Sequence, residues 1–269
     1  NYGFKMSQGE YVNWFDSDDL MAIFFLEDRI SYVKKENVDM YIFFTSLIEQ
    51  NKNDKTKITN LIYSGESNLN DVILRFLNFD LPWSTRCCLW KKSSLQKNNI
   101  WNESLKIHQD FELYVRVLIQ NQPKILFANT SPDSFLRIET SNSISRLNQD
   151  LVQLNKIAKS LFTIRDLIKK ENNDKYLRAI DITITRQLLS KLFLQRELKT
   201  IIKIYNKHKL WNLFYLKVMF IEFFSSFYSI RKIIKKIFYH YFKAKELKTT
   251  YLKFNYEDVK GDFGSYLLL

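Results

Sequence analysis

The chain changes its pattern of apolar and polar residues near residue 147. Before that point, short apolar runs rich in β-branched and aromatic residues alternate with amphipathic stretches, which is typical of an α/β fold. After it, helical periodicity takes over, with Leu151, Leu154, Ile157 and Leu161 on one face. The pattern predicts an α/β domain over residues 1–147, followed by an α-helical C-terminal region over residues 148–269.

The apolar runs of the first region predict its strands, and the amphipathic stretches between them predict its helices. The predicted strands are Tyr11–Phe15, Val38–Phe44, Lys57–Tyr63, Thr85–Trp90, Lys124–Ala128 and Ser134–Ile138. The predicted helices are Leu20–Lys35, Leu69–Phe79, Ser93–Lys97 and Gln109–Gln120.

The first predicted strand, Tyr11–Phe15, runs directly into the segment Asp-Ser-Asp-Asp at residues 16–19. Three carboxylates this close repel one another unless a positive group lies among them. Oxygen ligands of this kind suit Mg²⁺ or Mn²⁺, with a bound phosphate filling other positions. Alternatively, Asp16 or Ser17 caps a helix that begins near Leu20, and the acids complement its dipole. The residues alone leave both interpretations open.

A second acidic group lies at the predicted start of the helix Gln109–Gln120. Asp110 and Glu112 fall in its first turn, where carboxylates also stabilise a helix N-terminus without any activity. The functional interpretation is that Asp110 is a general base, which takes a proton from a sugar hydroxyl as that hydroxyl attacks.

Several short motifs follow one another between residues 9 and 145. They are Gly9-Glu10-Tyr11-Val12-x-x-Phe15-Asp16-Ser17-Asp18-Asp19, Trp83-Ser84-Thr85, Leu89-Trp90-Lys91-Lys92-Ser93, Trp101-Asn102-Glu103-x-Leu105, Gln109-Asp110-x-Glu112-Leu113-x-x-Arg116 and Phe135-Leu136-Arg137-x-Glu139-x-x-Ser143-Ile144-Ser145. Their order and spacing resemble the family 2 glycosyltransferases with the GT-A fold. The resemblance covers residues 1–147 and implies the C-terminal part of a GT-A domain, Rossmann-like with a mixed sheet.

The resemblance implies a donor site at the Asp-x-Asp element. In the family this element binds a metal, Mn²⁺ or Mg²⁺, that neutralises the diphosphate of a nucleotide-sugar. By resemblance, Asp18 is the main metal ligand and Asp16 a metal ligand near the donor ribose. Asp19 is then a donor contact or a group behind the metal ligands, and Arg137 supports the phosphate side.

The resemblance also implies an acceptor side. It identifies Asp110 as the catalytic base and places Gln109, Glu112 and Trp83 beside the acceptor. Inverting transfer needs a base on one face of the anomeric carbon and charge stabilisation of the leaving diphosphate on the other. A covalent nucleophile is not required, and the sequence shows no convincing Ser-His or Cys-His arrangement for one.

Two departures from the family pattern change the expectations. Glu139 stands where the family often has a histidine. The family portion that binds the nucleotide base and ribose lies upstream of the Asp-x-Asp strand, and residues 1–8 resemble only its end. We therefore expect a chain that lacks its N-terminal nucleotide-binding portion and binds nucleotide poorly.

The net charge of +12 is concentrated in residues 191–250, where Lys and Arg far outnumber three glutamates. Aromatic residues alternate with these cations over residues 210–250, which favours an amphipathic helix at an anionic membrane surface. Helices packed on the first domain, with solvated lysine faces, are the alternative. Nucleic acid ranks last, because no recognised binding module accompanies the charge.

These features together predict a metal-dependent, inverting glycosyltransferase of bacterial surface polysaccharide synthesis, acting on a glycan or lipid-linked acceptor at the cytoplasmic face of the membrane. The adjacent Cys87 and Cys88 fit a reducing compartment. The alternatives are a non-catalytic remnant that serves as a membrane- or protein-binding module and, less favoured, a basic nucleic-acid-binding protein.

Overall fold

The computed structural model describes residues 1–33, 37–50, 56–59, 69–95, 100–128, 130, 132–138, 151–189, 191–192, 197–208 and 267–268. The helices are α1 (Tyr2–Met6), α2 (Phe25–Val33), α3 (Leu69–Leu77), α4 (Gln109–Gln120), α5 (Leu151–Lys170), α6 (Asp174–Ile184) and α7 (Leu198–His208). The strands are β1 (Tyr11–Val12), β2 (Leu20–Ala22), β3 (Met40–Ile42), β4 (Thr45–Gln50), β5 (Thr56–Thr59), β6 (Cys88–Lys91), β7 (Ile125–Phe127), β8 (Ser134–Ile138) and β9 (Leu267–Leu268).

The first sheet is mixed and has the strand order β1-β6-β3-β7. β6 is antiparallel to both of its neighbours, whereas β3 and β7 are parallel. β1, β3 and β7 therefore run in one direction, and their carboxyl ends lie at the same edge of the sheet as the start of β6. Ligands of open α/β sheets bind outside such an edge.

The second sheet has the order β5-β4-β8-β2-β9. β8 lies at its centre, parallel to β4 and antiparallel to β2, with Leu20 opposite Phe135. The short strand β9 pairs with β2. This sheet begins at the residue that follows the Asp-Ser-Asp-Asp segment, so that segment connects the two sheets.

One hydrophobic core joins the α/β region to the helices that follow it. Phe76 of α3 and Leu118 of α4 belong to the same buried cluster as Ile164 of α5 and Ile180 of α6. The Arg165–Asp181 ion pair, with Nε and Oδ1 2.6 Å apart, links α5 to α6 within it. The expected α/β fold followed by helices is confirmed. The boundary at residue 147 stays a prediction, since residues 139–150 lie outside the described ranges.

Helix α4 and strand β8 have the predicted bounds, and most of the other elements are shorter than predicted. Thr85–Cys87 form a 3₁₀ turn before β6, and Lys92–Ser94 form another where a helix over Ser93–Lys97 was expected. The predicted helix Leu20–Lys35 is wrong in its first part, because Leu20–Ala22 is a strand and α2 begins at Phe25.

Candidate active site

The Asp-Ser-Asp-Asp segment and the start of α4 lie at the same edge of the first sheet. The segment follows β1, whose carboxyl end lies at that edge. Residues 121–124 connect the end of α4 to the start of β7. Because the helix runs back along the sheet in the direction opposite to β7, its first residues lie at the edge where β7 ends. Tyr114 of α4 also contacts the Cys88 thiol at 3.3 Å, which fixes the helix against the start of β6.

Arg86 lies among the aspartates and supplies one positive charge to the cluster. Its Nε donates to Oδ2 of Asp19, and its Nη2 lies 3.5 Å from Oδ2 of Asp16. Asp16 and Asp18 are exposed, whereas the Asp19 side chain is 1% exposed. The helix-cap alternative for Asp16 and Ser17 is wrong, because the next helix begins only at Phe25.

Asp19 is the buried member of the cluster. Burial raises the pKa of this carboxyl above its ordinary value, the Arg86 guanidinium counteracts the rise, and the charges of Asp16 and Asp18 add to it. Its second oxygen, Oδ1, is buried and has no hydrogen-bond partner in the structure. A buried carboxylate oxygen without a partner is costly unless a cation or donor reaches it.

The backbone of Arg86 is held in place by hydrogen bonds to its carbonyl oxygen. Its carbonyl oxygen accepts hydrogen bonds from Nδ2 of Asn13 at 3.2 Å and from Nη1 of Arg29 at 3.0 Å. Arg29 is itself buried and makes a two-pronged ion pair with Asp133, at 2.6 and 2.8 Å. The guanidinium of Arg29 also lies over the rings of Phe25 and Phe43. These contacts fix the backbone of Arg86 and therefore the point from which its side chain extends toward the aspartates.

The candidate base, Asp110, is half-buried in the first turn of α4. Its Oδ1 accepts a hydrogen bond of 2.8 Å from the backbone amide of Phe111, and the neighbouring Gln109 donates to the carbonyl of Leu105 at 3.1 Å. Burial is the main cause that raises the pKa of the Cys88 thiol, and the charge of Asp110 contributes. Asp110 therefore lies near the sheet edge.

His108 precedes α4 and has a left-handed backbone, with φ of 58°. Its Nδ1 lies 2.8 Å from Oγ of Ser160 on α5, and its ring contacts Phe79 edge-on. The sequence showed no signal for this contact, because the two residues are far apart in the chain. Burial lowers the pKa of His108 below its ordinary value, an effect that the charge of Asp110 partly opposes.

The lowered pKa of His108 makes stability depend on pH. The unfolded chain takes up the proton near pH 6.5 while the folded protein resists it, so stability falls as the pH drops below about 6.5 toward the lowered pKa. His108→Asn removes this titration and keeps a side chain that tolerates the left-handed backbone. We expect urea unfolding between pH 7.5 and 5 to show a smaller loss of stability in His108→Asn. Ser160→Ala, which keeps the imidazole, is the control, and equal pH profiles for His108→Asn and the unmodified protein would contradict the assignment.

A divalent cation fits Asp16 and Asp18 only together with phosphate oxygens. Among the described residues, no group of three or more His, Cys, Asp or Glu side chains is placed to hold a metal. Mg²⁺ commonly binds through one or two carboxylates and substrate phosphates, which matches two exposed carboxylates beside the partnerless Oδ1 of Asp19. The described residues alone therefore do not provide a complete set of protein ligands for a metal.

Trp83 is placed differently from the expectation. Its side chain is 1% exposed and packs edge-on against Phe76 and Tyr114. The predicted apolar face beside the acceptor is therefore not available on this ring. Trp83 supports α4 from within the core, because aromatic rings of this size fill the space between helix and sheet.

Glu112 also has another role than the predicted contact with acceptor. It is 3% exposed and pairs with Arg116 through both carboxylate oxygens, at 2.7 and 3.2 Å. Residues two apart on a helix point in nearly opposite directions, so Glu112 faces away from Asp110. It lines a separate cleft of about 690 Å³ between α4, α5 and the loop that carries Trp101.

The remaining predicted residues are described only in part. Arg137 lies on β8, and its side chain is outside the described set, as is Glu139. The basic segment 210–250 also lies outside it. Within the part of the chain that the structure describes, helices are too short or too polar to cross a bilayer.

Comparison with known proteins matches residues 1–97 to the family model of Glycosyl transferase family 2. TarS 1–349 of S. aureus in complex with UDP-GlcNAc is 16% identical, with a TM-score of 0.47 over 72% of this chain and 51% of that chain. The same fragment with UDP is 16% identical, with a TM-score of 0.44 over 72% of this chain and 50% of that chain. S. aureus TarS is 16% identical, with a TM-score of 0.43 over 72% of this chain and 30% of that chain. The chain thus spans about half the length of the first structure. None of the curated proteins matches it.

Proposed function

We propose that this protein, whose residues 1–97 match the family model of Glycosyl transferase family 2, transfers a sugar from a nucleotide-sugar donor to a glycan or lipid-linked acceptor with inversion. The observation that supports the proposal is that two sets of carboxylates lie at the same edge of the first sheet. The exposed carboxylates of Asp16 and Asp18 follow β1, and Asp110 lies in the first turn of α4 at the same edge.

The aspartate segment is suited to the leaving-group side of the reaction. Asp16 and Asp18 would hold Mn²⁺ or Mg²⁺ together with the donor diphosphate, and the metal would neutralise the charge that develops there. Arg137 is proposed for the phosphate side, and Asp19 acts through its ion pair with Arg86 rather than by direct contact with donor.

Asp110 is suited to the acceptor side. A half-buried carboxylate at a helix start, open to the sheet edge, can accept the proton of an attacking hydroxyl. Gln109, one residue earlier, is proposed to contact the acceptor. In this proposal the base and the diphosphate leaving group would lie on opposite faces of the anomeric carbon, so the reaction needs no covalent intermediate.

The donor-side assignment is tested in the full-length product of the gene, by hydrolysis of nucleotide-sugars, UDP-GlcNAc among them, in the presence of Mn²⁺. Asp18→Ala removes an exposed carboxylate, so the fold should persist while hydrolysis falls by about 10²-fold or more, because the metal loses a ligand. Asp28→Ala, an exposed acid in the first turn of α2, is the control. Rates equal to those of the unmodified protein would overturn the assignment of Asp18 as a metal ligand, and no hydrolysis of any donor would favour the non-catalytic alternative.

The proposed setting is bacterial surface polysaccharide synthesis at the cytoplasmic face of the membrane, with peripheral contact through residues 210–250 and without nucleic acid. The cations of that segment support it, because each lysine near an anionic surface contributes about 1 kcal/mol. Replacing three of them by Gln should weaken flotation with phosphatidylglycerol vesicles roughly a hundredfold. The three are Lys232, Lys235 and Lys236.

The matched control for the flotation replaces three exposed cations of the described helices, Lys169, Lys175 and Arg178, by Gln. This variant removes the same charge from the helical region and should float as the unmodified protein does. Equal loss in both variants would indicate attraction by net charge alone, and salt-sensitive DNA binding without lipid affinity would overturn the membrane contact.

A further inference from the structure

Arg86 occupies the place among the aspartates that the sequence suggested for a cation. Its side chain is 7% exposed and contacts the buried carboxylate of Asp19 and, at 3.5 Å, the exposed carboxylate of Asp16. Asp18 has no hydrogen bond or ion pair in the described structure. One fixed positive charge therefore neutralises part of a cluster of three negative charges.

The position of Arg86 is not adjustable in the way that a surface arginine is. Its carbonyl is held by Asn13 and by buried Arg29, and its Nη1 lies 3.3 Å from Oγ of Ser84. The pairing with Asp19 joins the 3₁₀ turn before β6 to the segment before β2. These contacts hold the guanidinium of Arg86 beside the carboxylates.

We propose that Arg86 is a positioning residue that makes cation binding by Asp16 and Asp18 depend on a diphosphate. A fixed positive charge a few ångströms from the carboxylates repels a divalent cation, which lowers the affinity for the cation alone. A diphosphate brings negative charge that offsets the guanidinium, so the cation binds well only together with it. This inference rests on the proposed donor site and adds the residue that controls when the metal enters.

The test measures by equilibrium dialysis the Mn²⁺ retained with the full chain, with and without inorganic pyrophosphate, whose own Mn²⁺ complex passes the membrane and is present equally on both sides. Arg86→Gln removes the charge and retains a hydrogen-bond donor for Asp19. We expect this variant to bind Mn²⁺ alone about tenfold more tightly than the unmodified protein. We also expect pyrophosphate to strengthen binding less in the variant. Arg86→Lys, which keeps the charge, should bind Mn²⁺ as the unmodified protein does.

The direction in which Mn²⁺ affinity changes in Arg86→Gln distinguishes a positioning role of Arg86 from a merely structural one. Damage to the loop would weaken Mn²⁺ binding in Arg86→Gln, and that result, like an unchanged affinity, would overturn the inference while leaving the donor site intact. If the unmodified protein bound no Mn²⁺ even with pyrophosphate, or if Asp18→Ala bound it equally well, the donor site and the inference would both be overturned.

A second pair of variants keeps the test decisive if Arg86→Gln does not fold. Asp19→Asn neutralises the buried carboxylate, and the double variant Asp19→Asn/Arg86→Gln then leaves no buried charge without a partner. The comparison of these two variants measures the effect of the guanidinium on Asp16 and Asp18 alone. Tighter Mn²⁺ binding by the double variant supports the inference, and equal or weaker binding contradicts it.

Discussion

Asp110→Asn is expected to reduce nucleotide-sugar hydrolysis by about 10²- to 10⁴-fold, the usual contribution of a general base. The amide is nearly the same size as the carboxylate, and its oxygen can still accept the hydrogen bond from the amide of Phe111. It cannot take a proton at neutral pH. The loss should therefore appear in kcat with little change in KM, as expected for an interaction made only in the transition state.

Asp174→Asn is the matched control for this prediction. Asp174 is an exposed acid in the first turn of α6, as Asp110 is an acid in the first turn of α4. Both substitutions remove a favourable interaction with a helix N-terminus and should cost about 0.3–1 kcal/mol of stability. Only Asp110→Asn should reduce hydrolysis. If both variants retained activity within about threefold, the helix-terminus interpretation of Asp110 would be sufficient.

The elements that the sequence predicts best are those whose burial pattern is regular. α4 has the predicted bounds because its apolar residues recur with helical period and its core face packs on α3 and α5. β8 also has the predicted bounds, Ser134–Ile138. β1 is shorter than predicted because Asn13 turns its side chain to the carbonyls of Arg86 and Cys88, which ends the backbone pairing with β6.

The strand β2 could not be predicted from its own residues. Leu20, Met21 and Ala22 are common in helices, and they precede the amphipathic residues of α2 without a break in the apolar pattern. Their strand conformation comes from pairing with β8, which lies more than a hundred residues further along the chain. Tertiary pairing of this kind overrides the local preference of a short segment.

The sequence analysis missed a positive group that lies within the aspartate cluster. Three neighbouring carboxylates indicated that a cation lies among them, and the structure supplies Arg86. A signal was present, because Arg86 is the lone cation in the otherwise uncharged run 81–90. Trp83 and Glu112 show another limit, since resemblance to a family places residues in sequence and does not tell which of them are buried.

Asp133→Asn is expected to lower the free energy of unfolding by about 3–5 kcal/mol, the cost of leaving a buried charge without its partner. Arg29 is 2% exposed, and water cannot replace the lost carboxylate. The backbone carbonyl of Asp133 also accepts a hydrogen bond of 2.9 Å from the backbone amide of Ala22. The Arg29–Asp133 ion pair therefore lies where β2 joins β8. Urea unfolding followed by circular dichroism measures the change.

Asp80→Asn gives the same chemical change at a partly exposed pair. Asp80 accepts a hydrogen bond of 2.9 Å from the buried Arg75, and because the side chain of Asp80 is 38% exposed, water reaches its side of the pair and the cost should be smaller than for Asp133→Asn. The double variant Arg29→Met/Asp133→Leu should recover much of the loss, because removing both charges leaves neither unpaired.

Recovery of stability should not restore the site in full. Arg29 also donates to the carbonyl of Arg86, and methionine cannot make that hydrogen bond. The double variant should therefore unfold nearly as the unmodified protein does while hydrolysing nucleotide-sugars more slowly. Full recovery of both properties would show that the position of Arg86 depends on its ion pair with Asp19 alone, and that the buried Arg29–Asp133 pair serves only the fold.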